Sequence, residues 1–158
     1  MRYLLVVDLQ QEFVKDKQGQ KVYDKCLRYI KDNRHSYDAV VAAVYKNEGD
    51  FINMQRLLRW EEMKTIKSLD FTPDKSILHN GYSARDFLNF NKYDQVDVIG
   101  FDTDACVLSM CFDLFNVGCN IRIIADGCWS SGGKEMHKHG LAIMRRQFRR
   151  AVDENTRL

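Results

Sequence analysis

The stretch that decides the fold covers residues 96–120 and reads VDVIGFDTDACVLSMCFDLFNVGCN. Its opening run is rich in β-branched and aromatic residues, which predicts a buried strand over 96–101. Apolar residues then recur at helical spacing, which predicts a helix over 104–117. Gly118 follows, and glycine suits the left-handed position that commonly ends a helix. The stretch therefore predicts a strand, a sharp turn and a helix, with Cys106 in the first helical turn.

Cys106 at this turn is a candidate functional residue. It follows the carboxyl end of a strand, which is where open α/β sheets place their sites. Thr103 or Asp104 can cap the start of the helix. The free N–H groups and the positive end of the helix dipole favour a thiolate over a thiol. The alternative is that Cys106 is a small buried hydrophobe, as free cysteines often are.

A second strand ends in a carboxylate. Residues 3–8 read YLLVVD, and such a near-continuous apolar run suits a central parallel strand that is buried on both faces. Asp8 would then lie at the same edge of the sheet as Cys106. The alternative is that Asp8 only caps the turn that follows it.

Strands and helices alternate along the chain, which predicts a parallel, doubly wound α/β sheet. The predicted strands are 3–8, 38–45, 76–78, 96–101 and 121–125. The predicted helices are 20–34, 54–60, 85–90, 104–117 and 134–151. Right-handed crossovers bring all the strand ends to one edge of the sheet. The residues expected at that edge are Asp8, Tyr45, His79, Asp102 and Asp126.

Two segments resemble the motifs of a known family. VDLQQEF at residues 7–13 resembles the D-x-Q-x-x-F signature of the isochorismatase-like cysteine hydrolases, and TDACV at 103–107 resembles their T-D-x-C-V nucleophile motif. The resemblance spans roughly residues 3–150 and implies a single domain over residues 1–158, with a three-layer, doubly wound, mostly parallel sheet. Family members often add a strand after the last helix. We expect that edge to be trimmed here, because the chain ends at Leu158.

The resemblance also implies the roles of several residues. Cys106 would be the nucleophile, and Asp8 would be the carboxylate that takes the thiol proton. The backbone N–H groups of Asp102 and Cys106 would form the oxyanion hole. The peptide bond between Phe101 and Asp102 would be cis.

The family's third catalytic residue is usually a lysine, in a segment similar to K-x-G-Y-S-A. This chain has HNGYSA at residues 79–84, so His79 stands where the lysine would be. A lysine is a permanent cation, whereas histidine titrates near pH ~6.5. His79 is therefore either the base or cation of an unusual Cys–His–Asp set, or a sign that the site has lost amide hydrolysis.

The resemblance does not extend to a metal site. Metal-bearing nicotinamidases carry an Asp/His cluster after the second strand, but the segment 45–53 reads YKNEGDFIN and has no histidine. We therefore expect no metal and no other cofactor. The same segment weakens the case for nicotinamide as the substrate.

The resemblance implies a small-molecule substrate, because the family includes nicotinamidases, N-carbamoyl amide hydrolases and isochorismatases. Phe13 matches the aromatic residue of the first signature. We expect it to line the substrate pocket together with Trp60 and Tyr82.

The composition argues against several other classes of protein. With 45% hydrophobic and 29% charged residues among 158, the chain is expected to be soluble and globular. A net charge of +2 gives no basis for nucleic-acid binding, and no apolar stretch approaches the length of a membrane span. Five cysteines without paired spacing fit reduced thiols in the cytoplasm. We also expect a homo-oligomer.

Together these features predict a metal-independent cysteine hydrolase that acts on a small amide, ureide or related bond. The alternative, left open by His79, is a non-catalytic relative that binds a small ligand or a partner in the same cleft.

Overall fold

Parallel strands with apolar sequences form the centre of the protein. The computed structural model describes residues 1–46, 56–58, 69–84 and 89–158. Within these ranges the strands are β1 (Arg2–Val7), β2 (Ala39–Tyr45), β3 (Lys75–His79), β4 (Gln95–Gly100), β5 (Asn120–Cys128) and β6 (Val152–Asp153). The α-helices with described bounds are α1 (Lys17–Asn33), α2 (Cys106–Val117) and α3 (Lys134–Phe148). The strands pair in parallel to form one sheet, in the order β3-β2-β1-β4-β5-β6.

Side chains of β1 alternate between two apolar layers, because successive residues of a strand point to opposite faces. Leu5 packs on one side of the sheet with Met110 of α2 and Met144 of α3. Its neighbour Leu4 packs on the other side with Cys26 of α1. All five side chains are buried. The sheet is therefore the middle of three layers, as the sequence predicts for a doubly wound α/β protein.

The strand order places the ends of β1 and β4 side by side. From β1 the chain builds outward through β2 and β3, and it then returns to the other side of β1 to form β4. In such sheets a cleft opens at the carboxyl ends of the strands, at the point where the order reverses. Asp8 follows β1 at this point, and the turn that follows β4 leads to Cys106.

The far edge of the sheet differs from the prediction. β6 follows α3 and pairs in parallel with β5 through Ile123 and Val152, so the edge is not trimmed. β5 is also longer than predicted, because its register shifts against β4 and pairing resumes near Cys128. Asp126 therefore lies inside β5, where its carboxylate accepts a hydrogen bond from Lys25 Nζ at 2.7 Å. It does not join the other residues that were expected at the functional edge.

The helix after β4 ends as predicted but begins later. Gly118 terminates α2 with φ of 88°, in the left-handed region. The helix begins at Cys106, and its N-cap residue is Ala105, which provides no side-chain cap. The prediction that Thr103 or Asp104 caps the helix is therefore wrong.

The remaining helix predictions have mixed outcomes. The predicted helices 20–34 and 134–151 correspond to α1 and α3, with a 3-10 turn at Arg149–Ala151 in place of the last turn. Of the predicted helix 54–60, only residues 56–58 are described, and they are helical. Residues 85–88 lie outside the described ranges, so the helix 85–90 stays a prediction. In the described ranges, no helix combines the length and the apolar character needed to cross a membrane.

Candidate active site

Asp8 occupies the turn after β1. Its φ is 45°, a left-handed conformation that is uncommon for residues with a side chain. Its N–H donates to the carbonyl of Ala43 at 2.9 Å, and its own carbonyl accepts from the N–H of Gln10 at 2.7 Å. The residue is 0% exposed. The carboxylate therefore lies beneath the carboxyl edge of the sheet and is not a solvated cap of the turn.

His79 ends β3 and reaches past the end of β2 to Asp8. Its Nε2 lies 2.7 Å from Asp8 Oδ1, and its Nδ1 lies 2.8 Å from the carbonyl oxygen of Gly81. Because a carbonyl oxygen can only accept, Nδ1 carries a hydrogen. A further proton lies between Nε2 and the carboxylate. The pair is therefore either an imidazolium with a carboxylate or an imidazole with a carboxylic acid.

The surroundings of His79 favour its charged form. Burial lowers the pKa of the imidazole, but the hydrogen bond to Asp8, the charge of Asp8 and the Gly81 carbonyl raise it, and the net pKa lies above the ordinary value. The second oxygen of Asp8, Oδ2, is buried and is not paired with any described residue in full hydrogen-bond geometry. The Cys106 thiol is nevertheless close enough to Asp8 for a hydrogen bond between the two side chains to raise the thiol pKa. The pair therefore keeps one carboxylate oxygen available inside the site.

Cys106 is buried at the first position of α2. Burial raises the pKa of its thiol well above the ordinary value, and the charges of Asp8 and Asp102 raise it further. The position at the helix start therefore does not lower the thiol pKa below its ordinary value, contrary to the expectation that this position favours a thiolate. Burial and the two nearby carboxylates favour the protonated thiol, so the cysteine needs a base to take its proton.

The backbone N–H groups of Asp102 and Cys106 lie in the turn between β4 and α2. The N–H of Asp102 lowers the pKa of the Cys106 thiol, because it donates toward the sulfur. Among the backbone hydrogen bonds of the described residues, neither Asp102 nor Cys106 donates its N–H to a carbonyl. The peptide bond Phe101–Asp102 is cis, as the resemblance implies. Neither N–H is thus committed to a carbonyl, and the oxyanion hole formed by Asp102 and Cys106 stays a prediction.

The side chain of Asp102 turns away from the helix start. Its two oxygens accept hydrogen bonds from the backbone N–H and the hydroxyl of Ser131, at 2.6 and 2.5 Å. Burial raises the pKa of Asp102 to about 6, against the lowering effect of Ser131 and with a smaller raising effect from Asp104 and Asp8. Asp102 therefore fixes the loop after β5. Sequence analysis did not single out Ser131, and no local pattern around it points to this contact.

Thr103 joins the turn that precedes Cys106 to the loop after β5 and to α3. Its N–H donates to the carbonyl of Trp129 at 3.0 Å, and its Oγ1 lies 2.8 Å from Nδ1 of His137 in α3. Gly140 lets the helix come this close, because a Cβ there would lie 2.7 Å from the carbonyl carbon and oxygen of Thr103. The turn that carries Cys106 is therefore held on both sides.

Aromatic residues surround the pair of Asp8 and His79. The ring of Tyr45 meets those of Phe13 and His79 edge to face, each at a centroid distance of 5.7 Å. Burial raises the pKa of Tyr45 to about 12, with further raising by the charges of Cys106 and Asp8. Tyr45 belongs to the site, although the sequence placed it only at the edge of the sheet. Its position as the last residue of a β-branched strand was the available signal.

The other predicted pocket residues have different outcomes. Tyr82 is 41% exposed, and burial followed by the charges of Cys106 and Asp104 raises the pKa of its hydroxyl. It therefore lies near Cys106, and its place in a substrate pocket stays a prediction. Trp60 lies outside the described residues, so its place in the pocket stays a prediction.

A metal site was tested on the donor groups of the described ranges. There, no three His, Cys, Asp or Glu side chains come close enough together to hold a metal ion. Residues 47–53, which make up most of the segment after β2, lie outside those ranges. The expectation of a metal-free site therefore stays a prediction.

The chain belongs to the isochorismatase family. The family model described as the isochorismatase domain matches residues 2–156, which is nearly the whole chain. No curated protein matches it.

Solved structures share the fold at low sequence identity. The chain is similar to a nicotinamidase from Bacillus subtilis, with a TM-score of 0.75 and 19% identity over 97% of this chain and 99% of that chain. It is also similar to a nicotinamidase from Staphylococcus aureus, with a TM-score of 0.66 and 22% identity over 98% of each chain. An N-carbamoylsarcosine amidase from Thermoplasma acidophilum matches with a TM-score of 0.72 and 19% identity, over 93% of this chain and 92% of that chain.

Proposed function

We propose that the protein is a metal-independent cysteine hydrolase acting on a small amide, ureide or related C–N bond. What supports this activity most is a buried carboxylate, Asp8, with one oxygen bonded to His79 and the other oxygen available beside a cysteine. A nucleophilic cysteine needs a base within reach and an arrangement that orients that base. The nicotinamidase and amidase folds among the structural neighbours agree with the choice of bond.

The first half of the reaction follows from these groups. Asp8 Oδ2 takes the thiol proton of Cys106, and the sulfur attacks the carbonyl carbon of the substrate. The developing oxyanion accepts hydrogen bonds from the N–H groups of Asp102 and Cys106. Asp8 then gives the proton to the leaving nitrogen, the C–N bond breaks, and the acyl group stays on Cys106 as a thioester.

The second half returns the enzyme to its starting state. Asp8 takes a proton from a water molecule, and the resulting hydroxide attacks the thioester carbonyl. The C–S bond breaks, the acid leaves, and the proton returns to the sulfur of Cys106. The products are the amine or ammonia and the carboxylic or carbamic acid, so one water is consumed for each bond that is broken.

His79 supplies the positive charge that a lysine supplies in most of the family. Its Nδ1 is committed to the carbonyl of Gly81, so the face that meets Asp8 is fixed. The imidazolium places a positive charge against the Asp8 carboxylate, and a carboxylate is what accepts the thiol proton. The base thus works only while His79 is protonated.

A second candidate function is a non-catalytic protein that binds a small ligand or a partner in the same cleft. The raised pKa of the Cys106 thiol, caused mainly by burial, favours this candidate. The replacement of the family lysine by His79 favours it too. Under this candidate Cys106 serves only as a small side chain in the wall of the cleft.

The two candidates are separated by turnover that depends on Cys106. Purified protein is assayed for ammonia release with a panel of neutral primary amides, ureides and N-carbamoyl amides. Hydrolysis by the wild type that disappears in Cys106→Ala but survives in Cys119→Ala supports the hydrolase. Cys119 is the matched control, because it is a buried free cysteine outside the cleft. Ligand binding without turnover across the panel supports the second candidate. Activity that survives exhaustive chelation supports metal independence.

We propose that the protein is cytoplasmic. All five cysteines are free, which fits a reducing cytoplasm. We also propose a single domain that forms a homo-oligomer, which light scattering of the purified protein would test.

A further inference from the structure

Gln10 links the turn that carries Asp8 to the end of β2. Its side chain is buried. Its Oε1 accepts a hydrogen bond from the N–H of Tyr45 at 2.8 Å, and its Nε2 donates to the carbonyl of the same residue at 3.1 Å. One amide group therefore satisfies both backbone polar groups of Tyr45 on the side that faces β1.

This contact takes the place of backbone pairing between β1 and β2 beyond the end of β1. The last backbone bond between the two strands runs from Asp8 to Ala43. Beyond it the chain turns, and the edge of β2 would be left with an unpaired N–H and C=O in a buried place, which is costly. Gln10 continues the pairing with its side chain while its backbone is free to turn.

Gln10 stabilises the turn after β1, and the backbone of this turn sets the orientation of the Asp8 side chain. The left-handed φ of 45° at Asp8 is unfavourable for an ordinary residue and persists only where the surroundings hold it. The N–H of Gln10 bonds to the Asp8 carbonyl, and its side chain is anchored on β2. The backbone on both sides of Asp8 is thus tied to β2.

Tyr45 connects the same anchor to His79. The rings of Tyr45 and His79 are in contact, and the N–H of the next residue, Lys46, donates to the carbonyl of His79 at 2.8 Å. Both members of the Asp8–His79 hydrogen bond are therefore positioned against the end of β2, one through Gln10 and the other directly.

We propose that Gln10 is a positioning residue, whose two hydrogen bonds to the backbone of Tyr45 set the distance and direction of the Asp8–His79 hydrogen bond. Its relevance to turnover rests on the proposed hydrolase. The geometric part does not, because the Asp8–His79 bond can be measured without a substrate.

The test replaces Gln10 with methionine, which has a similar volume but cannot make either hydrogen bond. The protonation of His79 is followed by NMR of its ring nitrogens in wild type, Gln10→Met and the control Gln147→Met. Gln147 is an exposed glutamine on α3. We expect the pKa of His79 to fall in Gln10→Met, because burial lowers it and the bond to Asp8 that opposes burial is weakened. We expect no change in Gln147→Met.

A kinetic readout separates positioning from simple loss of structure. With an active substrate, Gln10→Met should lower kcat by about 100-fold, the loss expected when a catalytic group is displaced by about 1 Å, while KM changes little. Gln10→Asn, which keeps the amide but is too short to reach both groups of Tyr45, should fall between the wild type and Gln10→Met. It also serves as the test variant should Gln10→Met not fold.

The outcomes distinguish the two proposals. An unchanged pKa of His79 in a folded Gln10 variant overturns the positioning role, whatever the activity. A lowered pKa of His79 in a protein that hydrolyses nothing in the panel upholds the positioning role and overturns the hydrolase.

Discussion

Two buried carboxylates on neighbouring strands differ in how their oxygens are bonded. Asp8 lies just after β1, and Asp97 lies within β4 at the level of Leu4. Asp97 accepts hydrogen bonds from Tyr37 at 2.7 Å, from Arg2 at 3.2 Å and from Arg122 at both of its oxygens. Asp8 has one oxygen bonded to His79 and one without a partner among the described residues.

The difference separates a structural charge from an available one. Burial raises the pKa of Asp97, but Arg122, Tyr37 and Arg2 outweigh burial, and the net pKa lies below the ordinary value. A carboxylate held by two arginines stays ionised, and most of its lone pairs already accept hydrogen bonds. Asp8 keeps a free oxygen and is paired with a group that titrates. A buried carboxylate with spare acceptor capacity is therefore the better candidate for chemistry.

The largest expected effect comes from neutralising each carboxylate in turn, which tests whether only Asp8 takes part in turnover. Asp8→Asn should lower turnover by about 10²–10⁴-fold, the usual contribution of a general base. Asp97→Asn should leave turnover per folded molecule unchanged. Steady-state rates, corrected for the folded fraction by circular dichroism, measure both. Equal losses in the two variants would contradict the distinction.

The next largest effect concerns the partner of Asp8. Because the pKa of His79 is raised above its ordinary value, activity should persist above pH ~6.5 and then fall as the imidazolium loses its proton. His79→Lys should extend activity to higher pH, since lysine keeps its charge to about pH 10. His79→Ala should be slower by at least about tenfold, because the hydrogen bond and the positive charge beside Asp8 are lost. Rate–pH profiles of the three proteins are the measurement.

Two other results would change the role of His79. A lysine variant slower than wild type at neutral pH would make His79 a neutral base, since protonated lysine cannot accept a proton. An alanine variant with an unchanged rate per folded molecule would make the residue structural.

Stability should respond in the reverse order to turnover. Asp97→Asn should lower the free energy of unfolding by about 1–3 kcal/mol, because the arginines lose the negative charge and one of the two acceptor oxygens. The pKa of Asp97 is lowered on folding, so its contribution is present above its unfolded value of 3.8 and is lost as the pH falls through the folded value. Urea titrations should therefore show a smaller difference in the free energy of unfolding between wild type and Asp97→Asn at pH 3 than at pH 7. The exposed Asp32→Asn is the control and should change little; a loss there as large as that in Asp97→Asn would contradict the specific role of Asp97.

The smallest effect sharpens the electrostatic part of the comparison. The charge of Asp8 raises the pKa of the Cys106 thiol, so Asp8→Asn should lower that pKa and expose more thiolate at neutral pH. A fall of one pKa unit should speed alkylation by iodoacetamide about threefold, because greater thiolate content is partly offset by weaker nucleophilicity. Mass spectrometry of the peptide that contains Cys106 measures this rate. Acceleration in Asp97→Asn as well would mean that the effect is not local to the site.

Much of the fold could be predicted because its periodicities are local. The apolar run of β1 and the strand–turn–helix of residues 96–120 have the spacing of buried parallel strands and of a helix packed on them. β6 could not be predicted, because a strand of two residues is too short to show an alternating pattern. The position of Asp126 could not be predicted either, because the register shift between β4 and β5 is not visible in the sequence of either strand. The start of α2 at Cys106 was also missed, since Thr103 forms its hydrogen bond with a helix more than thirty residues away.

By itself the sequence determined which residues could meet. Asp8, His79 and Cys106 each follow or end a strand, and parallel strands joined by right-handed crossovers share one carboxyl edge. Only the tertiary structure decided how they meet. Asp8 and His79 are 71 residues apart, and their hydrogen bond depends on how three strand ends pack. The same packing sets the hydrogen bond of His79 to the Gly81 carbonyl and those of Gln10 to the backbone of Tyr45. The thiol state of Cys106 was decided there too, because burial and neighbouring charge are properties of the folded chain that no local pattern contains.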